Sequence, residues 1–212
     1  MSELVGQNLV CVRGDRIIFK DLNFAVSPGE IIRLVGKNGC GKSTFLHLLG
    51  GLVQPIAGTL SWQGATIKTL SSLLITPHSC IKPYLTVEEH LSLWASLQGL
   101  SSWPENILKP LELHTLRQLR VSTLSFGQCQ RLSLARLSLA SARLWLLDEP
   151  FSGLDRSACQ FLEQQLEHHS QQGGIVVFAD HREVYSLAHY ELNVGEEEWP
   201  LFAKRLIQGG RA

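Results

Sequence analysis

Eight consecutive residues, Gly36-Lys37-Asn38-Gly39-Cys40-Gly41-Lys42-Ser43, fit the pattern G-x-x-x-x-G-K-[ST], with Thr44 next in line. Their types specify anion chemistry. Glycines let a backbone wrap closely around a phosphate chain, so that successive N–H groups face the anion. Lys42 is placed to reach the outer phosphates of a nucleotide, and the Ser43 hydroxyl to hold Mg²⁺. Cys40 is a small spacer in the loop, or a thiol made reactive by the nearby cation. A second group lies at Leu144-Trp145-Leu146-Leu147-Asp148-Glu149-Pro150, an apolar run ending in two acids. Asp148 suits a Mg²⁺ ligand, and Glu149 suits the group that orients and polarises an attacking water. Standing alone, the pair reads as solvated acids at a strand end. Beside a phosphate loop, the catalytic reading is the stronger.

These residues need elements to hold them. Residues 31–35 read as a buried strand and residues 43–49 as a helix stopped by Gly50-Gly51, the strand–loop–helix setting that the phosphate motif requires. Upstream, residues 9–12 and 16–19 read as strands around a Gly14-Asp15 turn, and residues 58–62 as another strand. In the middle third, Thr86 and Glu89 have capping-box spacing, and Val87, Leu91 and Trp94 recur at helical intervals. The leucine-rich stretch to Arg120 looks helical, with breaks near Gly99 and Pro104. Residues 127–141 read as helix, 143–147 as strand, 155–169 as helix and 174–179 as strand. That alternation predicts a parallel sheet covered by helices, with the middle block, about residues 77–141, as an inserted helical lobe of one domain spanning 1–212. His168 and His169, near a helix end, read as surface polarity.

Leu124-Ser125-Phe126-Gly127-Gln128 opens a predicted helix shortly before the acidic strand. On its own it is an ordinary helix cap at Ser125. In its order among the other motifs it resembles the L-S-G-G-Q signature of the ABC ATPases, with Phe126 in place of the first glycine. Ser152-Gly153-Leu154-Asp155 resembles that family's D-loop, and His181, after the apolar run 175–179, resembles its switch histidine. The resemblance covers essentially the whole chain. It implies an α/β fold, a P-loop NTPase core with an N-terminal antiparallel β part and an inserted α-helical lobe. It implies ATP and Mg²⁺, a homodimer in which Ser125, Gly127 and Gln128 of one copy meet the ATP held by the other, and membrane permease subunits as partners. His181 would contact the γ-phosphate.

Two positions depart from the family pattern. His78 stands where a Mg²⁺-sensing glutamine is usual, so it either substitutes or the role is absent. Arg13 stands where an aromatic ring often stacks on adenine; it stacks through its guanidinium or is merely exposed. Leu134-Ala135-Arg136-Leu137, the segment 144–151 and Gln172-Gly173-Gly174-Ile175-Val176 resemble the haem-exporter branch of the family, the ATP-binding subunits that serve cytochrome c biogenesis. An ABC motor for another cargo and a non-hydrolysing nucleotide switch are the alternatives.

Composition sets the outer limits. With 212 residues, 44% hydrophobic and 18% charged, the chain suits one globular domain. Lys+Arg and Asp+Glu both number 19, so no basic excess drives nucleic-acid binding. No apolar run approaches the ~20 residues of a membrane span, and residues 1–8 do not read as a secretory signal. The expectation is a peripheral protein on the cytoplasmic face of the inner membrane. Five cysteines without a C-x-x-C pair read as reduced thiols.

Overall fold

The turn at Gly14 and Asp15 folds β1 (Leu4–Arg13) back on β2 (Arg16–Val26) as an antiparallel pair in the computed structural model. The structure describes residues 4–67, 70–77, 81–180, 190–193 and 204–205. β4 (Ala57–Trp62) joins the other edge of β1, and β5 (Ala65–Thr66) extends the sheet to four strands, order β2-β1-β4-β5. Both strands of the first pair run longer than their apolar cores suggest. Antiparallel partners satisfy backbone groups well past the last hydrophobic residue.

The second sheet carries the chemistry. β3 (Ile31–Val35), β7 (Leu144–Asp148) and β8 (Ile175–Ala179) are almost wholly buried, as expected of strands covered on both faces. β3 and β7 each pair parallel with β8. β6 (Ser72–Ile75), β9 (Tyr190–Asn193) and β10 (Lys204–Arg205) complete six strands in the order β10-β9-β3-β8-β7-β6. The register is decisive for function: Leu34 of β3 and Asp148 of β7 both stand level with Ala179 of β8. The carboxyl ends of β3 and β7 therefore flank one strand end, where sites form in open α/β sheets. α1 (Lys42–Leu49) follows β3, and its Phe45, Leu46, Leu48 and Leu49 join Leu34, Leu144, Leu146 and Val177 in one apolar cluster.

The chain divides into two compact units. The first contains residues 1–74, 142–149 and 167–212, and the second residues 75–141 and 150–166. In the second, α2 (Val87–Leu97) starts at the capping box expected from the sequence. The Thr86 side chain accepts from the Glu89 N–H at 3.2 Å, and the Glu89 carboxylate accepts from the Thr86 N–H at 2.8 Å. The leucine-rich segment beyond α2 is a correction. Apart from short 3-10 turns, it is not helical. Leu108, Leu111 and Leu113 are buried from turns, and Glu112 turns the backbone to a φ of 53°. Residues 119 and 121 instead bond the start of α2 and the residues just before it, Val87 N–H to Leu119 O and Val121 N–H to Leu85 O. α3 (Phe126–Ala135) also stops earlier than 141, tightening into a 3-10 turn over Arg136–Ser138.

α4 (Arg156–Gln171) ends in a second correction. His169 is not mere surface polarity. Its ring stacks on Trp145 with centroids 3.8 Å apart and planes 4° from parallel, and its Nε2 donates to the Arg143 carbonyl at 3.1 Å. Gly174 permits this, since a Cβ there would sit 2.2 Å from the imidazole.

Candidate active site

The loop that leaves β3 begins two residues beyond Leu34 and re-enters helix at Gly41, whose φ of 118° is strained for any residue with a side chain. Lys42 opens α1 and is only 6% exposed. Its Nζ donates back to the carbonyls of Gly36 at 2.8 Å and Lys37 at 3.1 Å. No carboxylate among the described residues pairs with it. A buried ammonium held only by neutral carbonyls leaves its charge uncompensated, which favours an anion in the loop. Cys40 lies 4.0 Å from the Lys42 ammonium and packs partly against the apolar cluster, the position of a spacer.

A cleft of about 430 Å³ lies over this loop. Asn38, Gly39, Gly41, Lys42, Ser43 and Thr44 line it from the loop and helix, and Asp148 and Glu149 from the end of β7. The β1–β2 hairpin supplies Arg13, together with Arg16 and Ile18. Gly36 and Lys37 act from behind, through their carbonyls. Sequence reading missed Arg16 and Ile18, because neither belongs to a linear motif. The signal that could have found them is the two-residue turn, which sets Arg16 opposite Arg13.

Glu149 has a φ of 49°, a region that non-glycine residues seldom occupy, and its N–H donates to Ala179 O at 2.9 Å. That bond, made just past the level of Asp148, turns the chain sharply where the strand ends. Asp148 and Glu149 therefore reach the cleft from adjacent positions although strand geometry alone would send them to opposite faces.

The signature residues belong to the second unit. Ser125 caps α3: its Oγ accepts from the Gln128 N–H at 3.3 Å, while the Gln128 Oε1 accepts from the Ser125 N–H at 2.8 Å. Ser125 and Phe126 are exposed. Gly127 lies against the D-loop, where a Cβ would meet the Gly153 carbonyl oxygen at 2.7 Å. Arg131 of α3 ion-pairs with both Glu112 and Asp155. Asp155 in turn accepts from the Ala158 N–H and the Ser157 hydroxyl, bonds that hold its carboxyl below the usual carboxylate range. His78 and His181 lie outside the described residues.

Residues 19–152 match the family model described as ABC transporter. The chain belongs to the ABC transporter family. It is similar to the cytochrome c biogenesis ATP-binding export protein CcmA of Nitrosococcus oceani, at 43% identity over 183 residues that cover 84% of each chain. The protein of the same description from Pasteurella multocida is 37% identical over 193 residues, covering 87% of this chain and 91% of that one. The solved structure of an ATP-binding subunit of an ABC transporter matches 95% of this chain and 88% of its own, with a TM-score of 0.81 at 24% identity, and so shares the fold. The family resemblance read from the signature pentapeptide is borne out. This member of the ABC transporter family is an ATP-binding subunit, an ATPase coupled to transport.

Proposed function

We propose that two copies of this chain share each ATP between them and use its hydrolysis to power haem export or delivery in cytochrome c biogenesis, beneath permease subunits at the cytoplasmic face of the inner membrane. The observation that carries the nucleotide chemistry is the buried, carboxylate-free Lys42 in one cleft with Ser43, Asp148 and Glu149. The cargo rests on similarity to the cytochrome c biogenesis export proteins.

In this reading Gly36, Lys37, Asn38, Gly39, Cys40, Gly41 and Thr44 supply the backbone that surrounds the triphosphate, and Lys42 exchanges its loop carbonyls for β- and γ-phosphate oxygens. Ser43 and Asp148 fit Mg²⁺, being hard oxygen donors on one cleft. No cluster of three or more His, Cys, Asp or Glu occurs among the described residues, which suits an ion that completes its shell with phosphate oxygens and water. When bound, Mg²⁺ neutralises charge on the β- and γ-phosphates. Glu149 orients the attacking water and accepts its proton. By the family resemblance, His181 would serve the γ-phosphate, and His78 would serve Mg²⁺ if it substitutes for the usual glutamine; both lie outside the described residues.

Ser125, Gly127 and Gln128 form an exposed helix N-terminus, and their capping box leaves the Ser125 hydroxyl able to donate to an anion. That supports contact with the γ-phosphate held by a second copy. Contact with the permease runs through the second unit, where Leu93 and Leu97 of α2, one turn apart, are 42% and 71% exposed. No described helix is long and apolar enough to cross a membrane, consistent with a separate membrane partner.

The test is phosphate release by the purified chain with its membrane partner, comparing wild type with Glu149→Gln. Wild type turns over ATP. The variant binds Mg-ATP with unchanged affinity and loses about 100-fold or more in rate. Normal turnover by Glu149→Gln would remove Glu149 from its role.

A further inference from the structure

We propose that Arg13 and Arg16 read the nucleobase, so that the cleft accepts guanosine triphosphate at least as well as adenosine triphosphate. This rests on the nucleotide reading above and adds the base class of that same site. Arg13 and Arg16 are direct cross-strand partners at the end of the β1–β2 hairpin, so both side chains leave one face of the sheet. Ile18 lies two residues along β2, at a register shift in the β1–β2 ladder. All three line the cleft. Its other lining comes from the phosphate loop, the start of α1 and the end of β7, which hold the triphosphate end. The hairpin is therefore left to face the nucleoside.

The chemistry of that end is unlike an aromatic platform. Two like charges directly opposite each other disfavour the hairpin by themselves. Neither guanidinium ion-pairs with a carboxylate among the described residues. A guanidinium offers donors and no acceptor. Guanine presents two adjacent acceptors, O6 and N7, which suit that fork, whereas adenine replaces O6 with an amino donor. Ile18 adds an apolar surface for either ring. Among the described hairpin residues that line the cleft, no side chain offers an acceptor for the adenine amino group, while a 6-oxopurine meets two donors.

Equilibrium competition binding on the full chain with Mg²⁺ tests this, using ATP, GTP, inosine triphosphate, 7-deaza-GTP and inorganic tripolyphosphate. The expected result is a Kd for GTP equal to or below that for ATP, inosine triphosphate behaving like GTP, and 7-deaza-GTP binding more weakly. The double variant Arg13→Ala/Arg16→Ala weakens GTP by about tenfold or more and leaves tripolyphosphate within about twofold. Arg13→Lys/Arg16→Lys, which keeps both charges and loses the fork, also loses the GTP preference. Both positions are exposed, so folding, checked by thermal melting, is retained. A wild-type preference for ATP of about tenfold or more would overturn the inference. So would a double-alanine variant that loses GTP, ATP and tripolyphosphate alike, since the arginines would then be phosphate contacts. Those two outcomes leave the parent reading intact. Wild-type protein that binds neither nucleotide nor tripolyphosphate overturns both.

Discussion

Glu149 shows how much of the site is decided by one backbone angle. Its positive φ costs on the order of 1–3 kcal/mol in a residue with a side chain, and the Ala179 carbonyl holds it there. Glutamine has the same shape and meets the same backbone demand, so the Glu149→Gln defect isolates the carboxylate. His90 is the contrasting case, a histidine with a purely structural position. It is fully buried; its Nδ1 donates to Thr86 O at 3.1 Å and its Nε2 accepts from the Lys82 N–H at 2.8 Å. Burial, assisted by the Lys82 charge, lowers its pKa below the ordinary 6.5 against the opposing pull of the Thr86 carbonyl and Glu89. The unfolded chain therefore takes up the proton first. The stability owed to neutral His90 is present above about pH 6.5 and is lost as pH falls from there toward the folded-state pKa. His169, also lowered by burial, acts in the same direction. Thermal melting from pH 7.5 to 5 should show a falling Tm, with a shallower fall in His90→Gln. A slope unchanged by that substitution would remove His90 from the effect.

At the scale of elements, α3 packs closely against the D-loop. Gly127→Ala pushes a Cβ onto the Gly153 carbonyl oxygen, which cannot swing away as a side-chain tip would. The expected destabilisation is about 1–3 kcal/mol, measured by denaturant unfolding. A neutral outcome would show that the D-loop yields freely. The phosphate loop, its strand and its helix were legible in the sequence because glycine pattern, buried strand and a helix stopped by Gly50 all agree locally. The capping box at Thr86 and the helix cap at Ser125 were legible for the same reason: each side chain bonds within three residues. What was not legible depends on distant partners. Leu73-Leu74-Ile75 is too short to declare itself a strand, and becomes β6 only at the edge of the six-stranded sheet. The leucines at 108, 111 and 113 carry the composition of a helix but are buried from turns. Arg16 and Ile18 gain their place from cross-strand pairing, and His169 from a tryptophan 24 positions away.

At the scale of the whole molecule, each copy in the proposed dimer contributes two half-sites. The phosphate loop and acidic strand end belong to one compact unit, and the capped helix with its D-loop to the other. Zero net charge gives no drive toward nucleic acid, in keeping with the proposed partners, a second copy and a membrane subunit. Complementation between two inactive variants tests whether a triphosphate is gripped by two chains. Lys42→Ala removes one half-site and Ser125→Arg the other, so each variant alone should hydrolyse essentially no ATP. Mixed in equal amounts with the permease subunits, half the dimers pair unlike copies, and each such dimer rebuilds one intact site. The mixture should recover roughly a quarter of wild-type phosphate release, as expected for a twofold-symmetric dimer. A mixture as inactive as its two components would contradict the shared site.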